Sequence, residues 1–72
     1  MKYCYFLFDG YSSVVGASEI LIKNDIDNRI VRTPVNMSGC CGFAVVIHAE
    51  QFDISMDILI NNKRQPLIIK YK

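Results

Sequence analysis

The longest uninterrupted apolar run in this chain reaches only from Tyr3 to Phe8, where Asp9-Gly10 stops it with a turn signal. A bilayer span needs about 20 apolar residues, so no membrane partner is expected. The run also lacks the full-length apolar region and small-residue cleavage site of a secretory signal, and it reads instead as a first β-strand. A cytoplasmic location follows as the expectation. Whatever core the chain builds must come from short elements: 72 residues fit a single domain, 1–72, which buries only about 60 % of the surface its unfolded form exposes. With 51 % hydrophobic and 21 % charged residues, the composition is far from that of a disordered segment, so the chain is expected to fold with a thin margin.

After the first strand, Ser12 or Ser13 is placed to cap a helix whose apolar residues Val14, Ala17 and Leu21 share one face, widened by Val15 and Ile22, and which ends near Asn24-Asp25. Gly16 inside it costs about 1 kcal/mol relative to alanine, or else lets a neighbouring strand approach closely. Arg29 to Arg32 reads as a brief second strand that Pro34 ends, since proline offers no amide hydrogen to a ladder. The segment from Val35 to Gly42 carries the turn-formers Asn36, Ser38, Gly39 and Gly42 and leads into a third strand, Phe43 to Ile47.

From Glu50 to Asn62 two periods compete. Phe52, Ile54, Met56, Ile58 and Ile60 alternate as in a strand, while Phe52, Met56 and Leu59 fit one face of a helix. Helix is the reading adopted, because Ala49-Glu50-Gln51 lacks the glycine or asparagine of a tight hairpin and Asn61-Asn62 suits a helix end. Gln65-Pro66 then opens a last strand, Leu67 to Tyr71. The order βαββαβ predicts an α+β, ferredoxin-like domain: a four-stranded antiparallel sheet with two helices on one face. Strands one, three and four are apolar on both sides of the pleat, so a homo-oligomer or partner contact through the second sheet face is expected.

Eight basic and seven acidic residues are scattered along the chain, giving a net charge of +1 and no cationic stripe for a run of phosphates. Gly42-Phe43-Ala44 does resemble the middle of an RNA-recognition strand. Cys41, however, replaces its basic residue, and Val45 and His48 stand where stacking aromatics are expected, so no nucleic-acid partner is predicted. There is no phosphate loop, nucleophile elbow or convincing carboxylate pair, and the chain is not read as an enzyme.

The three cysteines, Cys4, Cys40 and Cys41, cannot all pair within the chain, and a bridge between adjacent residues is strained. Reduced thiols are the simpler reading. Cys4, inside the first strand, reads as packing. Cys40, Cys41 and His48 do not make a metal site, because adjacent cysteines rarely close one tetrahedron and no spaced Cys-x-x-Cys exists; no metal and no cofactor are expected. For Cys41 two readings stand side by side: a small, partly buried residue at the turn into strand three, or a reactive thiol on a flexible loop among small neighbours.

Ser12, Ala17, Glu19, Leu21 and Lys23, then Thr33-Pro34, then Cys41-Gly42-Phe43-Ala44-Val45 stand in an order and spacing that resembles the selenium/sulfur carrier-like family of small bacterial proteins. The resemblance covers nearly the whole chain. It implies a non-enzymatic sulfur or selenium carrier, or its accessory, served by a cysteine desulfurase or another sulfur or selenium donor protein. Cys41-Gly42 matches the family's cysteine-glycine, whereas Cys40 looks like an addition that could assist or compete. On this reading Cys41 holds a transient persulfide, while Pro34, Gly39 and Gly42 shape the loop. The alternative is a protein–protein interaction or small-ligand regulatory module with structural cysteines.

Overall fold

In the computed structural model, which describes residues 3–33 and 42–71, the chain forms β1 (Tyr3–Leu7), α1 (Tyr11–Lys23), β2 (Asn28–Arg32), β3 (Phe43–His48), a 3-10 turn (Ala49–Gln51), α2 (Phe52–Asn61) and β4 (Ile68–Tyr71). The four strands make one antiparallel sheet in the order β2-β3-β1-β4, the ferredoxin-like α+β arrangement expected from the element order. Because successive side chains leave a strand on opposite faces, cross-strand pairing sorts them cleanly. Cys4, Phe6, Val45 and Ile47 point into one core cluster with Val14, Ala17 and Leu21 of α1 and Leu59 of α2. Ile30, Phe43 and Ile69 pack on its margin. The other face carries Tyr3, Tyr5 and Leu7 of β1, paired with His48, Val46 and Ala44 of β3.

The segment that is ambiguous in sequence is helical. Leu59 and Ser55 are fully buried, and Phe52 and Met56 pack against the core, while Ile54 and Ile60 are 53 % and 49 % exposed. Of the alternating isoleucines, Ile54 and Ile60 therefore lie outside the buried stripe, while Ile58 packs on its margin. Core contact through Phe52, Met56 and Leu59 decides the helical period over the alternating one.

Two expectations need correction. α1 starts at Tyr11, and its N-cap is Gly10, in extended conformation and without a side-chain cap. The amides of both Ser13 and Val14 donate to the Gly10 carbonyl, at 3.1 and 3.2 Å, so the helix begins as soon as the chain turns off β1. Ser12 and Ser13 fall inside the first turn rather than capping it. At Gly16 the close neighbour is no strand but Arg64: a β-carbon there would stand 2.9 Å from the guanidinium carbon.

Both helices end in the same way. Ile26 donates its amide to the Leu21 carbonyl (2.9 Å) and Asp25 to Ile22 (3.0 Å); Arg64 donates to Leu59 (2.8 Å) and Lys63 to Ile60 (3.1 Å). These are Schellman closures, and they need a left-handed residue after the cap. Asp25 (φ 60°) and Lys63 (φ 58°) fill that position although glycine does so with less strain. The first closure drives Ile26 into the core, and the second brings Arg64 over Gly16. Next to it, Asn28 ties β2 to α1: Ser18 Oγ donates to Asn28 Oδ1, and Asn28 Nδ2 donates to the Ile26 carbonyl at 3.0 Å.

Replacing Asp25 or Lys63 by glycine is expected to stabilise the fold by roughly 0.5–1 kcal/mol each, as relief of left-handed strain exceeds the added chain entropy. In a domain of this size that is a rise of several degrees in Tm, readable by thermal circular dichroism. An unchanged or lower Tm in both variants contradicts the strain argument.

Candidate functional site

Pro34, Gly39, Cys40 and Cys41 lie outside the described residues, so the site is built from the framework on either side of them. β2 and β3 run side by side to a last ladder pair, Arg32 with Phe43. Beyond that pair the Thr33 amide donates to the Gly42 carbonyl at 2.8 Å. The chain thus leaves and re-enters the sheet through one narrow, hydrogen-bonded base. Gly42 has φ +89°, a left-handed backbone that favours glycine, and no described residue lies within 4 Å of where its β-carbon would be.

Phe43 anchors this base on the helix side of the sheet. Tyr11, the first residue of α1, meets its ring edge-on at 5.0 Å between centroids. From the other strand the Arg32 guanidinium lies over the same ring, 5.4 Å from its centroid. Arg32, the basic residue nearest the cysteine pair on its N-terminal side, is therefore held at the mouth of the segment rather than directed away from it. The first turn of α1 contains no acidic residue and carries no side-chain cap, so its amide dipoles add positive potential at the same end of the sheet. Asp9, exposed and just ahead of the helix, is the opposing charge. Tyr11 and Phe43 were not visible as a site from sequence, since their contact joins β3 to a helix start 32 positions earlier.

Cys4 has a different environment. It is fully buried in the core cluster, a free cysteine between sheet and helices. Burial pushes its thiol up to about 11 from a usual 9.0, so it is not ionised near neutrality. The reading of Cys4 as packing agrees with this placement.

A family model described as "Putative Se/S carrier protein-like" matches residues 3–70. The chain belongs to that family. The Se/S carrier-like match spans every described strand and helix but the last residue of β4, and so joins the segment between Thr33 and Gly42 to the whole framework around it. Searches of curated proteins and of solved structures find no match. Among the described residues, no helix is long and apolar enough to cross a membrane, and no cluster of three or more histidine, cysteine, aspartate or glutamate side chains could hold a metal ion.

The far end of this Se/S carrier-like sheet, about 13 Å along β1 from the loop base, holds a second feature. Tyr3, Tyr5, Asp27, Arg29, Val46 and His48 line an open groove of about 530 Å³. Sequence reading passed it over by treating Tyr3–Phe8 as one apolar run; period-two alternation alone places Tyr3 and Tyr5 together on the face opposite Cys4 and Phe6.

Two outcomes follow from the two environments. Because the folded Cys4 thiol has the higher pKa, the unfolded chain loses its proton first as pH rises, so Cys4 contributes stability that is complete below pH 9 and lost as pH climbs through about 11. The loss is at most about 2–3 kcal/mol, and it should appear as a steeper decline in urea midpoint between pH 9 and 11 than in Cys4→Ala. Gly42→Ala should cost about 1–2 kcal/mol from backbone strain; a Tm equal to that of the unsubstituted chain rules out a left-handed Gly42.

Proposed function

We propose that this protein is a non-enzymatic carrier of sulfur or selenium, or its accessory, and that Cys41 holds the transported atom as a transient persulfide or its selenium counterpart. The family match over residues 3–70 carries the reading. The chemistry of the loop base supports it. A carrier thiol must ionise near neutral pH, and a cation and an uncapped helix start both favour thiolate. Arg32 and the N-terminus of α1 supply these at the end of the sheet to which Gly42 returns the chain.

In the transfer, the Cys41 thiolate attacks the terminal sulfur of a donor persulfide, such as that of a cysteine desulfurase. A new S–S bond forms as the old one breaks, and the donor leaves as its thiolate. An acceptor nucleophile then takes the terminal sulfur in the same way and regenerates the Cys41 thiolate. Cys40 is the adjacent nucleophile that can assist or compete for the bound sulfur. Pro34, Gly39 and Gly42 shape the segment that presents the pair. Cys4, neutral and enclosed in the core, takes no part.

Incubation of the reduced protein with cysteine and a cysteine desulfurase, followed by intact-mass and peptide mass spectrometry, should show a one-sulfur gain on Cys41 that is lost in Cys41→Ser. Arg32→Ala should slow the loading several-fold at pH 7 and much less at pH 9, where the thiol ionises without help. A folded, reduced protein that gains sulfur on no cysteine moves the assignment to an interaction module with structural cysteines.

A further inference from the structure

The sheet face turned away from the helices is not uniform along its length. At the loop end Leu7 and Ala44 are already buried, 2 % and 0 % exposed. The next row across the sheet reads Arg29, Val46, Tyr5, Lys70 in cross-strand register, so each edge strand ends the row with a cation. Three strand spacings place those two cationic positions roughly 14 Å apart. In the row beyond, Tyr3 and His48 are partners, with ring centroids 5.5 Å apart and planes tilted by 33°. Asp27 completes the rim of the groove.

We propose that this groove binds a nucleoside monophosphate, a planar base carrying one phosphate, with the base on the Tyr3, Tyr5 and His48 rings and the phosphate at Arg29. The volume of about 530 Å³ lies within the range of small-ligand sites. Three aromatic rings on one sheet face offer a stacking platform that accepts any base, since every base presents a π-face. The Arg29 guanidinium, on the groove wall, presents a fork of N–H donors matched to phosphate oxygens. Asp27 accepts hydrogen bonds from ribose hydroxyls or an exocyclic amine, a role for a carboxylate that a purely anionic ligand would leave empty.

The same residues argue against two other occupants. A nucleic-acid strand needs successive cations along its backbone, and among the described residues this face offers two, with the Asp27 carboxylate on the groove rim. A second copy of the chain would have to remove Arg29 and Lys70 from water, yet gain little apolar burial, because Leu7 and Ala44 are enclosed already. The proposal is independent of the carrier reading, as none of the described residues that line the groove is a cysteine.

The test is equilibrium dialysis of the full chain against labelled AMP and GMP, with tyrosine emission as a second readout, since the chain has no tryptophan. Arg29→Ala and Tyr3→Ala alter exposed side chains, and Lys23→Ala, on the last turn of α1, is the control cation. Saturable one-to-one binding that weakens tenfold or more in Arg29→Ala and in Tyr3→Ala, with unchanged circular dichroism, and stays within twofold in Lys23→Ala and Cys41→Ser, is the expected result. Absence of saturable binding at millimolar nucleotide overturns it, as does equal weakening in the Lys23 control. Binding of oligonucleotides without mononucleotides, or a dimer in light scattering that Tyr3→Ala or Arg29→Ala dissociates, assigns the face to a strand or a second copy instead.

Discussion

A sheet covered by helices on one side only obliges its central strands to meet a dry core and open water at once. β1 does this by alternation from Tyr3 to Phe6, while Leu7, on the outer face, is enclosed at 2 % exposure. Cys4 and Phe6 enter the core at 0 % exposure, while Tyr3 and Tyr5 remain on the other face at least partly accessible. Burying a side chain such as Phe6 is worth roughly 1.5–3 kcal/mol, and β1 pairs with both β3 and β4, so a one-residue slip would turn this whole set outward. In a chain this short few other contacts could compensate for that loss. The registers of β3 and β4, and through β3 that of β2, depend on it.

The helices complete the core with equal economy. Each is closed by a left-handed residue that reverses the chain within two positions, and each closure is put to use: Ile26 enters the core, and Arg64 lies across α1 at Gly16. At Gly16 the guanidinium carbon lies 2.9 Å from where a β-carbon would stand, a contact that the exposed arginine can yield by swinging its flexible end away. The cost in helix propensity is thus set against contact between the end of α2 and the middle of α1.

The same one-sided architecture separates the chemistry. A thiol on the inner face of β1 is held neutral by the apolar layer. The adjacent pair Cys40 and Cys41 falls in sequence between Thr33 and Gly42, and those two residues stand at the end of the sheet where Arg32, Phe43, Tyr11 and the start of α1 converge. The aromatic and cationic rows lie at the opposite end and on the opposite face.

Much of this was legible in the residue order. Apolar runs broken by Asp9-Gly10, Pro34 and Asn61-Asn62 determine six elements in βαββαβ order, because glycine, proline and asparagine act on the local backbone wherever they stand. Family membership was legible too, through Thr33-Pro34 and Cys41-Gly42. The N-cap of α1 was not: a serine cap is a local preference, but where the helix starts depends on how the chain turns off β1, which is set by the sheet. Nor were the Arg64–Gly16 contact, the Arg32–Phe43–Tyr11 cluster and the Tyr3–His48 pair, each of which joins residues far apart in the chain. The sequence by itself determined the elements, their order and the thiols available, since these follow from local backbone chemistry and composition. Only the tertiary structure decided which cation stands at the loop base and which aromatics share a groove, because those depend on strand register and on which face the helices cover.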